Sequence, residues 1–143
     1  MTSAEIVDLA QHMIGAGRPF LLATVDQQGA PQARWMGGNV LDPPLTLWMA
    51  SRAKARKMDQ LRANPAAQLI FADERFQQVI TIAGRGEVVD GLEPKRRLWE
   101  AMPVLSQLLS GLDDPNFGVI KFVGSRVELL DLTQGTDPQI AEL

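Results

Sequence analysis

Six or seven short apolar runs, each fenced by Gly, Pro, Asn or Asp, limit what this chain can become. Pro19-Phe20-Leu21-Leu22-Ala23-Thr24-Val25 reads as a buried strand, and Asp26-Gln27-Gln28-Gly29 turns the chain into a second, Pro31 to Val40. Leu41-Asp42-Pro43-Pro44 makes the next turn, into a third strand from Leu45 to Ala50. Ala66 to Ala72 and Phe76 to Val89 follow, joined at Asp73-Glu74-Arg75, with Gly84 and Gly86 marking a bulge in the longer run. Phe117 to Val123 and Arg126 to Leu132 complete the series across Gly124-Ser125. Helices fall between some strands but do not alternate with them, which disfavours a doubly wound parallel sheet. The pattern predicts a mainly β protein, an antiparallel barrel of six to seven strands flanked by helices. Closing the sheet would also remove the edges that apolar strands expose.

The helical segments are few. Thr2 and Glu5 form a capping box ahead of the stripe Ile6, Leu9, Ala10, Met13 and Ile14, which Gly15 and Gly17 end. Asp90 and Glu93 suggest a second capping box, with Pro94 in the first turn and Leu98, Trp99 and Met102 as the apolar face. Val104 to Leu112 predicts one more helical stretch. Residues 1–143 read as one domain, with 133–143 a polar and loose tail.

Composition narrows function. A formal charge of −3 argues against nucleic-acid or anionic-membrane binding, both of which want a broad positive field. No cysteine is present, so disulfides, thiolate catalysis and thiolate-bound zinc are excluded. A single histidine, His12, excludes histidine metal clusters within one chain. No apolar run approaches the ~20 residues of a membrane span, and no signal peptide is evident, so the expected location is cytoplasmic. Neither GxGxxG nor GxxxxGK[ST] occurs, which leaves NAD-type and P-loop modes without support.

Against that acidic background, Ser51-Arg52-Ala53-Lys54-Ala55-Arg56-Lys57 opens a predicted helix that Asn64-Pro65 closes. Cations at a helix N-terminus face the positive end of the macrodipole, at roughly 0.3–1 kcal/mol each. The arrangement makes sense if an anion sits there, bound by free backbone N–H groups and Lys or Arg. A solvated helix face is the plainer reading of the same residues. Arg34 interrupts a half-buried strand and offers a bidentate fork to a phosphate or an imide. Gly37 and Gly38 leave room for a flat group, or mark a bulge. Trp48, Met49 and Ser51 run into the basic helix and place apolar surface beside it. Gln77-Gln78 begins a strand and has amides to offer a ring. Together these residues describe a pocket for a nucleotide-like cofactor.

The order of these elements resembles the pyridoxamine 5′-phosphate oxidase-like, FMN-binding split-barrel superfamily, specifically its general stress protein branch. The segments carrying the resemblance are Arg34-Trp35-Met36, Trp48-Met49-Ala50-Ser51, Ala55-Arg56-Lys57 with Leu61 and Asn64-Pro65, Gly84-Arg85-Gly86-Glu87-Val88-Val89, and Leu98-Trp99. It implies a homodimeric split barrel holding FMN in grooves between subunits. By that likeness Arg34 and Lys57, helped by Arg56, hold the phosphate or the flavin's polar edge. Backbone groups of Trp35, Met36, Trp48, Met49, Ala50 and Ser51 would line ring and ribityl chain, and Gln78 would touch the flavin. Ala55 stands where relatives carry Ser, and Leu130 where many carry Trp. The Arg-x-His that closes the oxidase's substrate site is missing, which argues against pyridoxamine phosphate oxidation. No residue stands out as a catalytic acid or base, but flavin chemistry can proceed on the cofactor. The implied function is an FMN-dependent oxidoreductase exchanging electrons with a small donor or acceptor. The alternatives are a non-catalytic flavin store or stress-related binding protein, deazaflavin F420 in place of FMN, or a vestigial pocket on a dimer that only interacts. Haem is disfavoured, because His12 lies in the first helix and no Cys or Tyr is present.

Overall fold

The computed structural model describes residues 1–143. Alternation sets the inside of the sheet. β1 (Phe20–Val25) buries Phe20, Leu22 and Thr24, and β5 (Ala66–Ala72) buries Ala67, Leu69 and Phe71. β4 (Thr46–Arg52) turns Leu47 and Met49 inward, β6 (Gln78–Val89) Ile80 and Ile82, and β7 (Phe117–Asp131) Ile120, Phe122, Val127 and Leu129. With β2 (Pro31–Met36), β3 (Val40–Asp42) and β8 (Gln139–Glu142), the eight strands form one antiparallel sheet. Its order is β2-β1-β5-β6-β7-β4-β3, with β8 paired to β7.

The two ends of that path, β2 and β3, are consecutive in the chain and do not pair. The barrel is therefore split, and Gly37-Gly38-Asn39 carries the chain across the seam from one edge to the other. α1 (Ser3–Gly15) and α2 (Arg56–Ala63) complete the interior with Ile6, Ala10, Met13, Ile14, Met58 and Leu61. α3 (Leu92–Ala101) and α4 (Leu105–Leu108) cover the outside of β3, β4 and β7 around Leu98, Leu105, Phe117 and Val119. No helix is long and apolar enough to cross a membrane.

The capping box of α1 forms, Thr2 and Glu5 each accepting from the other's backbone N–H at 3.1 Å. The register does shift between Ala83 and Gly84 of β6, but the extra residue lies on the partner strand: Ala83 faces Arg126 and Gly84 faces Gly124, leaving Ser125 of β7 between them. Other boundaries move. The predicted strand from Pro31 to Val40 is two strands, because the chain must leave one sheet edge at Met36 and join the other at Val40, across from Trp48. Gly124-Ser125 is no turn: β7 continues past this irregularity, making fifteen residues of one strand. Gly84 and Gly124 face each other where the backbones close in, and a Cβ on Gly124 would lie 2.8 Å from Ile82 Cγ2.

The basic helix starts later than its sequence suggests. Ser51 and Arg52 remain in β4, paired to Gly118 and Phe117, and the first helical residue is Arg56. The second capping box does not form; Gly91, at φ 120°, precedes α3 with no side-chain cap. α4 shrinks to Leu105–Leu108. The tail is not loose throughout, because Gln139–Glu142 pairs with Arg126–Leu129 and buries Ala141.

Candidate functional site

α2 sets the site. Its inner face, Met58 and Leu61, locks it into the core, with Leu61 against Gly86 of β6. That anchoring fixes Arg56 and Lys57 at its first turn, where the capping position is Ala55 and no side chain satisfies the free N–H groups. The backbone N–H groups of Arg56 and Lys57 have no acceptor in the chain. Lys57 Nζ has one partner, the Met36 thioether at 3.7 Å, which is a weak acceptor.

Arg34 approaches from β2. Its Nη1 donates to Thr24 Oγ1 at 2.7 Å and to the carbonyls of Leu22 and Gln32 at 3.2 Å each. Its Nη2 donates to Gln60 Oε1 at 3.0 Å, and Thr24 Oγ1 donates to that same oxygen at 2.6 Å. Nε donates to no protein atom. Burial, then the charges of Arg34 and Arg52, hold the Lys57 pKa below the ordinary lysine value. Burial, then Arg56, likewise depresses Arg34. No carboxylate lies within 4.0 Å of Arg34, Arg52, Arg56 or Lys57. Arg34, Arg52, Arg56 and Lys57 thus feel one another's charge without an ion pair, and the carboxylate in the first turn of α2, Asp59, pairs with Arg62 at 3.1 Å instead.

The strands leave an opening beside this cluster. Pairing of β4 with β3 stops at Trp48, so Met49, Ala50, Ser51 and Arg52 have a strand neighbour on one side only. β2 is an edge as well. A cavity of about 600 Å³ opens at the end of β4, lined by Ser51, Arg52, Lys54, Leu105, Leu108 and Leu109; of the four cations only Arg52 reaches it. That volume suits a drug-sized or cofactor-sized ligand.

The expected residues divide. Arg34, Met36 and Lys57 come together, with Arg56 at the helix start and Arg52 close to Lys57. Ser51 stands at the cavity, its hydroxyl turned to the Arg52 carbonyl at 3.1 Å. Trp48 and Met49 do not supply the apolar wall by their side chains. Met49 is wholly inside the core, and Trp48 packs beneath α3 with its indole N–H on Asp42 at 3.0 Å. The apolar side of the cavity at the end of β4 comes from Leu105, Leu108 and Leu109, with Ala50 beside them.

Trp35 points outward, 67% exposed, in a separate apolar depression with Leu21, Ile70, Phe76 and Val79. Gln78 is not brought to the cluster within one chain. Thr81, across from Ile70 and thence Leu21, already lies at the Trp35 level, and Gln78 begins β6 three residues beyond, away from the Gly86 end where α2 packs. Its amide donates to Asp131 at 3.1 Å.

Thr24 and Gln60 were not singled out from sequence. Thr24 gave a signal, being a polar residue at the inward parity of β1. Gln60 gave none, since only the packed sheet decides which face of α2 is buried. His12 is exposed on α1. No group of three or more His, Cys, Asp or Glu is placed to hold a metal ion.

No curated protein matches the chain by sequence. Among solved structures, it is similar to General Stress Protein 26 from Bacillus anthracis, 20% identical, with all of both chains covered and a TM-score of 0.78. It is also similar to a protein related to general stress protein 26, of the pyridoxinephosphate oxidase family, from Clostridium acetobutylicum. That one is 15% identical, with a TM-score of 0.82 over 100% of this chain and 97% of that one. A heme binding protein from Mycobacterium smegmatis is 20% identical, with a TM-score of 0.72 over 99% of this chain and 58% of that one. These likenesses show a shared fold. At the level of sequence, residues 6–131 match the pyridoxamine 5′-phosphate oxidase family, so with its antiparallel split barrel this chain belongs to that family.

Proposed function

We propose that the protein binds FMN at the mouth of the split and uses it as a flavin-dependent oxidoreductase on a small substrate. The observation that carries the reading is the convergence of Arg34, Arg52, Arg56 and Lys57 without a carboxylate partner. Gathering them costs folding free energy, and a phosphate dianion at the start of α2 offsets it. Lys57 and Arg34 Nε would hold that phosphate, with the N–H groups of Arg56 and Lys57. The free edge of β4 would offer its backbone to the ribityl chain and ring. Bound there, the flavin supplies the hydride acceptor; this chain supplies charge, orientation and an apolar wall.

Proteins of this fold are commonly dimers, and the outer face of β2, β1, β5 and β6 supports that for this chain. Trp35 and Phe76 are each 67% exposed there, over a depression of about 640 Å³ floored by Leu21, Ile70 and Val79. Phe76 sits at φ 54°, a backbone conformation that costs an L residue about 1–2 kcal/mol. A strained, exposed aromatic on an apolar face is explained by a partner surface that it fills.

One observation favours a non-catalytic flavin store: none of the residues lining the cavity at the end of β4 is a carboxylate or histidine. Absorbance of the freshly purified protein, with and without added FMN, tests binding. Bleaching of the bound chromophore by NAD(P)H without oxygen separates the two readings. A yellow protein that bleaches supports the oxidoreductase; one that does not bleach supports the store; a colourless protein indifferent to FMN rejects both.

A further inference from the structure

Arg34 is gripped from behind by neutral groups. Three hydrogen bonds close a ring: Arg34 Nη1 to Thr24 Oγ1 at 2.7 Å, Thr24 Oγ1 to Gln60 Oε1 at 2.6 Å, and Arg34 Nη2 to Gln60 Oε1 at 3.0 Å. Gln60 and Thr24 are 6% and 2% exposed, the only polar side chains so deeply buried in the molecule. Gln60 lies three residues after Lys57 on α2, so one helix carries both a cation of the cluster and the acceptor that holds its neighbour.

The choice of a carboxamide is informative. A half-buried guanidinium is commonly balanced by a carboxylate, which satisfies its hydrogen bonds and cancels its charge. Here both side-chain acceptors are uncharged, so the guanidinium is fixed while its positive charge stays available. Nε is left without a protein acceptor. A long flexible side chain would otherwise lose rotamer freedom on meeting a ligand, and holding it beforehand removes that cost.

We infer that Gln60, with Thr24, is a positioning residue for the anion site, fixing the Arg34 fork without neutralising it. The inference rests on the phosphate reading given above, and its test keeps the two apart. FMN and riboflavin are titrated into the full-length protein by flavin fluorescence, for wild type, Gln60→Met, Arg34→Met and the double variant. Gln60→Met keeps volume and removes the acceptor. It should weaken FMN binding by about 10- to 100-fold, as loss of a supporting hydrogen bond to a ligand-binding group typically does.

Riboflavin, which has no phosphate, should bind wild type and Gln60→Met alike. In the Arg34→Met background the same substitution should change FMN affinity by less than about twofold, because Gln60 acts through Arg34. Equal losses in both backgrounds, or parallel losses of FMN and riboflavin, would assign Gln60 to general packing and overturn the inference. So would wild-type FMN affinity in Gln60→Met. A wild type that takes up no FMN overturns the phosphate reading itself. Should Gln60→Met not fold, Thr24→Val carries the same cycle, since it removes both hydroxyl bonds at constant volume.

Discussion

Lys57 and Arg34 bring positive charge to half-buried positions that no carboxylate approaches within 4.0 Å. For Lys57 the folded pKa is depressed, so folding favours its neutral form, and its destabilising effect is present below the folded pKa and fades as pH rises through it. A function–stability exchange follows. Lys57→Met should raise the Tm of the ligand-free protein at neutral pH, yet weaken FMN binding by about tenfold or more. Lys95→Met, whose lysine lies over Phe117 at 5.7 Å, should leave FMN affinity unchanged; equal losses would contradict the assignment. These cations were legible in the sequence because they interrupt an apolar pattern. Which neighbours restrain them was not, since Gln60 meets Thr24 and Arg34 only once α2 docks against β1.

At the scale of elements, close backbone approach decides what the chain tolerates. Gly118, across from Ser51, has Met58 Cε 2.7 Å from where a Cβ would stand, and the backbone of Ala53 and Ser51 at 3.0 Å. The methionine end can shift but the backbone cannot, so Gly118→Ala should destabilise by about 1–3 kcal/mol in urea melts. α3 is tied down differently. Arg97 donates twice to Asp42, at 2.6 and 2.8 Å, and Trp48 donates once more at 3.0 Å. Those bonds, Arg97 foremost, hold the Asp42 pKa down to about 2. A depressed carboxylate contributes stability above its unfolded pKa and loses it as pH falls through the folded one. Wild type should therefore lose thermal stability between about pH 4 and about 2 more steeply than Asp42→Asn, and parallel curves would contradict this. Strand existence was legible here from alternation and turn residues. Strand ends were not: Gly37-Gly38 separates β2 from β3 because it crosses the split, whereas Gly124 lies inside β7 opposite Gly84, and both look alike in sequence.

For the whole molecule, the split barrel and the family it shares were legible from the order of motifs, while the open face was hidden, because outward parity looks the same whether water or protein covers it. If two copies meet through this face, as proposed, Trp35→Glu should lower the mass seen by sedimentation from that of a dimer to that of a monomer. Phe76→Gly should relieve the local φ strain yet weaken self-association, and a variant that dimerises as wild type would remove this face from the account. The unpaired cations at the mouth of the split are proposed to exist for a phosphoryl group. Calorimetric titration of wild type with FMN and with riboflavin tests it most directly, because the two ligands differ only by that group. One FMN per chain should bind, at least about a hundredfold tighter than riboflavin, as several charge-assisted hydrogen bonds require. Equal affinities for the two, or heat from neither, would contradict it.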